Sequence, residues 1–287
     1  MPASILFLIS DYASETASND NHIRLPTAFT NCGWTVHTGA PERLTLNPDG
    51  LFIDGFALHQ ADLIWPLGFG PRQSFLDRAH LLRQLPQEKL INPIAEQVLG
   101  HGKAQWLEYS PPTFVSNDAK YLQTMAAEHG GDWVLKPLAG SYGRDVHQVQ
   151  SSQSSAIYQL MRDQPEIYFA LQRFIPEIIH GEVRTLVAGG KIIGSYRRLP
   201  QNGIRANLSA MGKAVPVLDK EINTELVQKV LLDLQRRRIG YAAIDTVDEF
   251  LMEVNLVNPG GLGTLCTLYQ RNFGERVVHA VAARHNL

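Results

Sequence analysis

Two stretches of this chain carry side chains whose types and spacing can do chemistry. The first is VLKPLAGSYGRDV, residues 134–146, where an apolar run ends in Lys136 and opens into two glycines flanking a serine and a tyrosine. Glycines let backbone N–H groups approach a ligand and converge on it, and a lysine adds a point charge beside them. That pairing suits a polyphosphate. Neither G-x-x-x-x-G-K-[ST] nor G-x-G-x-x-G occurs in the chain, so neither well-known phosphate loop accounts for it. The second stretch is AAIDTVDEFLMEVN, residues 242–255, in which Asp245, Glu253 and Asn255 stand where the pattern otherwise wants apolar residues. Side chains alternate along a strand, so residues 253 and 255 share a face. A three-residue connection at 248–250 sets Asp245 opposite Glu253; a two-residue turn at Asp248-Glu249 puts the two on opposite faces. In the first register three oxygen-bearing side chains converge, the donor set of a hard cation whose shell bound phosphate completes. A lysine-glycine loop and an acidic hairpin are together the two halves of a nucleoside triphosphate site.

The elements that must position these residues follow from the apolar periodicity. ILFLIS, GWTVHTGA and ADLIWPLGFG read as strands, LFIDGFALH as a small hairpin turning at Asp54-Gly55, SFLDRAHLLRQL as a helix and KLINP as a further short strand. Strand-helix alternation here predicts a parallel α/β sheet. IAEQVLGHGKAQWLEY reads as a helix weakened at Gly100 and Gly102, and the Pro-rich SPPTFVS marks a boundary. Beyond it the pattern becomes α+β with antiparallel character. Helices are expected at DAKYLQTMAAEHG, SAIYQLMRDQ and 220–238, strands at WVLKPL, VHQVQ and IYFALQRFI, and hairpins at EVRTLVAGGKIIGSYRRL and YAAIDTVDEFLMEVNL. NGIRANLSAMGKAVPVL between them reads as irregular.

Composition excludes several classes. The 287 residues are 44% hydrophobic and 19% charged, as in an ordinary globular protein. The formal net charge of -2 gives no field toward nucleic acid or anionic membrane, so neither is an expected partner. The run Arg236–Arg238 falls at a helix end, where cations are favourable. Two cysteines, Cys32 and Cys266, without zinc spacing, read as reduced thiols of a cytoplasmic protein. No apolar run is long enough to span a membrane, and MPASILFLISDY reads as a first strand, not a signal peptide.

The order of these motifs resembles the ATP-grasp superfamily, and within it the bacterial glutathione synthetase-like group. The resemblance runs from about residue 90 to the end: LINP and a helix bearing Lys103, VLKPLAGSYGRDV, FALQRFIPEI, HGEVRTLVAGGKIIG, RRLPQNGIRANLSAMGKAVPV, and GYAAIDTV with FLMEVNLVNPGG. It implies an ATP-grasp fold, α/β and α+β, behind an N-terminal Rossmann-like parallel-sheet domain. Residues 1–110 would form that first domain, 111–178 a lid subdomain with the glycine loop, and 179–287 a subdomain with the metal site. Lys103 and Lys136 match the family's phosphate-binding lysines; Gly140, Ser141, Tyr142 and Gly143 match its glycine loop. Gln172, Phe174 and Ile175 match the segment that holds adenine, and Glu182 a carboxylate on the ribose hydroxyls. Arg184, Arg198, Arg205 and Asn207 match groups around the transferred phosphate and the substrate carboxylate. Asp245, Glu253 and Asn255 match the ligands of magnesium, or of manganese in its place.

The implied reaction is ATP-dependent ligation of a small-molecule carboxylate to an amine through an acylphosphate. Two departures touch substrate recognition: PLGFGPRQSFLDR has Arg72 but lacks the family's Asp-Pro-Pro, and NPGGLGTL replaces its Ser-Pro-Thr loop. RRLPQNGIRANLSAMGKA also resembles the ribosomal-protein glutamate ligases of the superfamily, so another amino-acid ligase is the rival reading. A small-molecule kinase and a non-catalytic nucleotide-binding module are the readings from other classes. A homodimer or homotetramer is expected by analogy.

Overall fold

The computed structural model describes residues 2–12, 19–139, 145–200 and 212–287. Gly140, Ser141, Tyr142, Gly143, Arg205 and Asn207 therefore lie outside the described residues.

The run ILFL is apolar at every position because the strand it forms is covered on both faces. Strand β1 (Ser4–Leu8) lies between β2 (Thr35–Gly39) and β6 (Leu63–Pro66), both parallel to it. Ile5 and Phe7, with Leu63 and Trp65, pack against helix α1 (Asn21–Asn31) and the C-terminal helix α7 (Gly274–His285). Leu6, Leu8 and Ile64 face the other way. They meet helix α2 (Phe75–Leu82) and the meander β3 (Leu44–Asn47), β4 (Gly50–Ile53) and β5 (Phe56–Ala57). The β4–β5 turn is at Asp54-Gly55, both with positive φ, as the sequence predicts. KLINP is not a strand: Leu90 makes a single bridge to Ile64, and the Asn92 side chain crosses to another sheet instead. The segment after it is not a regular helix either. It forms a π-helical turn at Glu96–Gly100 and a tight turn at Lys103–Trp106, broken where its two glycines fall.

A second sheet, in the order β7-β10-β8-β9, is wholly antiparallel. It comprises β7 (Thr113–Ser116), β8 (Asp132–Pro137), β9 (His147–Gln150) and β10 (Phe169–Arg173). Trp133, Leu135, Phe169 and Leu171 alternate onto one face, under helices α3 (Ala119–His129) and α4 (Ala156–Met161). The intervening residues, Lys136, Ala170 and Gln172, are left facing a cavity.

The third sheet runs β13-β12-β11-β14-β15. Its strands are β11 (Glu182–Ala188), β12 (Lys191–Leu199), β13 (Lys213–Pro216), β14 (Tyr241–Val247) and β15 (Phe250–Asn255). Part of the stretch expected to be irregular is therefore a strand: Lys213–Pro216 completes the sheet beside β12. Helix α5 (Thr224–Arg236) covers one face through Leu226, Val227, Val230 and Leu234. The opposite face is divided. Leu186, Ala188, Tyr241 and Ala243 join the core around Phe7 and Trp65, whereas Glu182, Arg184 and Asp245, further along the same strands, are charged. Helix α6 (Leu262–Tyr269) follows the NPGG loop and packs into that same core through Leu262 and Leu265.

Candidate active site

The hairpin at 241–255 resolves the register question in a way neither alternative anticipated. The turn has two residues, Asp248 and Glu249, with Val247 paired to Phe250 and Thr246 to Leu251. A bulge at Met252 then shifts the ladder, so Asp245 pairs with Glu253 after all. The expected three-residue connection is thus corrected, while the convergence it was meant to produce is present. Asn255 Nδ2 lies 3.3 Å from Asp245 Oδ2 and 3.3 Å from Glu253 Oε2. Two carboxylates and an amide gathered this closely fit a hard divalent cation, and Asp245, Glu253 and Asn255 are the residues that would hold it. The third donor is an amide: among the described residues no three His, Cys, Asp or Glu side chains gather in a metal-binding group.

Register also lines the charges up across four strands. Arg198 on β12 pairs with Glu182 on β11, Arg184 on β11 with Asp245 on β14, and Asp245 with Glu253 on β15. Arg184 grips Asp245 with both ends of its fork, Nε to Oδ1 at 2.8 Å and Nη2 to Oδ2 at 2.7 Å. Its remaining nitrogen, Nη1, donates to Gly260 O at 3.2 Å. Arg198 Nη2 bonds Asp245 Oδ2 at 2.7 Å and also pairs with Glu182. Burial disfavours the charged form of Asp245, but Arg184 and Arg198 outweigh it and hold the carboxyl below the usual range. At Glu182 the balance goes the other way: burial raises its pKa despite Arg198. The two arginines, expected around phosphate and substrate carboxylate, are joined to carboxylates of the protein itself.

The lysines meet this row from the other side. Lys103 Nζ is 3.7 Å from Glu253 Oε1 and 3.5 Å from Leu138 O. Lys136 Nζ donates to Gln172 Oε1 at 2.9 Å, and Gln172 Nε2 donates to Thr113 Oγ1 at 3.0 Å. Burial, helped by the neighbouring Lys103, pushes Lys136 down to about 8. Gln172 is the penultimate residue of β10, and its side chain orients Lys136. Phe174 and Ile175 lie just beyond that strand and pack with Ile178, Val247 and Met252. Thr113, Val115, Lys136, Ala170, Gln172 and Met252 face one cavity between the second sheet and the hairpin. Thr113 and Met252 escaped sequence reasoning. The period-two spacing of Thr113 and Val115 was available as a signal for the first; nothing local marks a bulge residue such as Met252. His101 also enters the site, near Glu253 and Lys103, with burial as the main cause of its lowered pKa.

Comparison with known proteins fits this geometry. Residues 102–270 match the family model of the prokaryotic glutathione synthetase ATP-grasp domain. The chain belongs to that family. A glutathione synthetase of Prochlorococcus marinus subsp. pastoris is 31% identical over 234 residues, 77% of this chain and 75% of that protein. One from Neisseria meningitidis serogroup A is 34% identical over 179 residues, 61% of this chain and 55% of its own length. The crystal structure of the D-cycloserine synthetase DcsG superposes with a TM-score of 0.73 at 16% identity, covering 98% of this chain and 99% of the other. That likeness shows the fold: ATP-grasp, with α/β and α+β parts, as the sequence predicted. This ATP-grasp protein is an ATP-dependent, ADP-forming carbon–nitrogen ligase of the peptide-forming type. Among its described residues no helix is long and apolar enough to cross a membrane.

Proposed function

We propose that the ligase joins a small amino-acid-like or γ-glutamyl carboxylic acid to an amine, with γ-glutamylcysteine and glycine as the first pair to try. A carboxylate does not acylate an amine at neutral pH because its oxygen is a poor leaving group. In the ligase reaction a substrate carboxylate oxygen attacks the γ-phosphorus, the bond to the β–γ bridging oxygen breaks, and ADP leaves. The amine then forms the C–N bond, phosphate departs with the former carboxylate oxygen, and the nitrogen loses a proton. Phosphoryl transfer requires positioning and charge neutralisation more than covalent help.

Each part has a candidate here. Lys103 and Lys136 would hold the phosphates, a task that Gly140, Ser141, Tyr142 and Gly143 would share as the glycine loop. The cavity lined by Val115, Ala170 and Met252 would take the adenine, with Phe174 and Ile175 packing against Met252, and Glu182 would take the ribose hydroxyls. Arg184, Arg198, Arg205 and Asn207 would balance charge on the transferred phosphoryl group and the acid. Magnesium or manganese, when bound by Asp245, Glu253 and Asn255, supplies neutralisation of the phosphate oxygens. The observation that carries the reading is the 3.7 Å approach of Lys103 to Glu253, because it brings the lysine side and the hairpin carboxylates around one point.

The test is phosphate release from ATP with magnesium across acid–amine pairs, with mass spectrometry of the product. Ligation requires release to depend on both substrates and to yield an amide. Release with the acid alone and a stable phosphorylated acid would overturn the proposal, as would no release with any pair.

A further inference from the structure

Three consecutive carbonyls in the loop after the 241–255 hairpin each accept a side chain from a distant part of the chain. Asn258 O takes Asn19 Nδ2 at 2.7 Å, Pro259 O takes Asn21 Nδ2 at 3.0 Å, and Gly260 O takes Arg184 Nη1 at 3.2 Å. The loop has little means of fixing itself. Pro259 has no N–H to donate, Asn258 stands at φ 52°, and Gly260 and Gly261 lack the side chains that restrict a backbone. Both glycines are also places of close approach. A Cβ at Gly260 would lie 3.3 Å from the Asn19 side chain, and one at Gly261 would lie 2.7 Å from the Tyr196 hydroxyl.

Asn21 holds the middle of this loop. It is the first residue of α1 and fully buried, and its Nδ2 also donates to Asn258 Oδ1 at 2.9 Å. Pro259 O can only accept, so the nitrogen of the amide must face it. The next carbonyl along, Gly260 O, is the one that meets Arg184. Arg184 grips Asp245 with its other two nitrogens, and such a pair can turn together about the soft last torsion of the carboxylate. A third acceptor outside the pair limits that turn, and Gly260 O supplies it. Two hydrogen bonds and one peptide link thus connect the first helix of the chain to the row of charges.

We infer that Asn21 is a positioning residue of the ligase: it sets the 258–260 loop so that Gly260 O holds the Arg184 fork in its working orientation. The inference rests on the role proposed above for Arg184.

Hydrogen exchange at the Arg184 Nε–H, followed by NMR and assigned through loss of the signal in Arg184→Lys, tests it without substrate. The indole N–H of Trp106, bonded to Gly100 O at 2.9 Å in the core under α5, is the control. Asn21→Ala is expected to speed exchange at Arg184 about tenfold or more relative to Trp106. In the ligation assay the same variant should lower kcat about tenfold or more, with the KM for ATP within about twofold of wild type. Should Asn21→Ala fail to fold, Asn258→Gly removes the Oδ1 acceptor, suits the positive φ, and should speed Arg184 exchange about threefold or more. Unchanged Arg184 exchange in the variant that folds overturns the inference, as does equal acceleration at Trp106 or an unchanged kcat. Phosphate release on the wild type separates the two readings. Amide formation with Arg184 exchange unmoved by the substitution removes the role of Asn21 alone, whereas faster Arg184 exchange in the variant, without amide formation by the wild type, removes the proposed reaction.

Discussion

Lys136 has a pKa near 8 because burial penalises its charge, with Lys103 adding to the effect and Glu253 and Glu182 opposing it. Between pH 8 and the ordinary lysine value of 10.5 the folded chain holds this lysine neutral while the unfolded chain keeps it charged. The unfolded state then binds more protons, so this residue's contribution to stability rises with pH across that window. Its contribution to phosphate binding has the opposite sign. ATP affinity is expected to weaken on the order of tenfold between pH 7 and pH 9, read by fluorescence titration, and Lys136→Arg should flatten the profile because arginine stays charged. A flat wild-type profile rejects this role. The hairpin carboxylates differ from one another. Asp245→Asn takes from the buried Arg184 the carboxylate it grips and from Arg198 one of its two, leaving Glu182, a loss of about 3–5 kcal/mol in urea unfolding besides the loss of turnover. Glu253 is partly exposed and shares no such clamp, so Glu253→Gln should lower turnover about 100-fold or more with an unfolding midpoint close to wild type. Equal stability losses in both variants would contradict the assignment.

At the level of elements, the bulge and the LINP motif do work that residue type alone does not reveal. The bulge at Met252 lets a two-residue turn coexist with the Asp245–Glu253 pair, and puts Met252 itself against the cavity. Asn92 has all four of its amide hydrogen-bonding sites used. Its Nδ2 donates to Tyr241 O at 2.7 Å and Leu256 O at 2.9 Å, and its Oδ1 accepts from Gly240 N at 2.8 Å and Tyr241 N at 2.9 Å. It ties the first segment to both ends of the 241–255 hairpin. Asn92→Ala orphans buried backbone groups, each costing about 1–3 kcal/mol, so a total loss on the order of 3 kcal/mol is expected in chemical denaturation. A change under about 1 kcal/mol would mean the hairpin is held by other contacts.

Across the whole molecule, no strand crosses residue 110 or 178, yet the three segments are not equally independent. The first and last share one core, in which Phe7, Phe29 and Trp65 pack with Tyr241, Leu265 and Val278. The middle segment instead has a core of its own, built from Leu122, Trp133, Leu135, Ile157 and Phe169. A unit with a private core can open without unfolding its neighbours. Amide exchange in residues 113–139 and 145–173 is therefore expected to open as one unit, faster than β1 and β14, and to slow in β8 and β10 when a nucleotide analogue binds. Uniform exchange across all three sheets would show that the middle segment does not move separately.

The sequence by itself determined what is local. Period-two alternation marked the strands, the apolar run at Ile5–Leu8 marked the first of them, and oxygen-bearing residues on an otherwise apolar hairpin marked the place proposed for a cation. Motif order supplied the family. Helix α1, with Pro26 inside it, and helices α6 and α7 were not legible, since their stability comes from packing into the shared core and not from propensity. Only the tertiary structure decided the bulge at Met252, the clamp of Arg184 on Asp245 sixty-one residues away, and the tether from Gln172 to Lys136. Side-chain direction along one strand is a property of that strand, whereas partners and register are chosen by which faces of distant elements can be buried together.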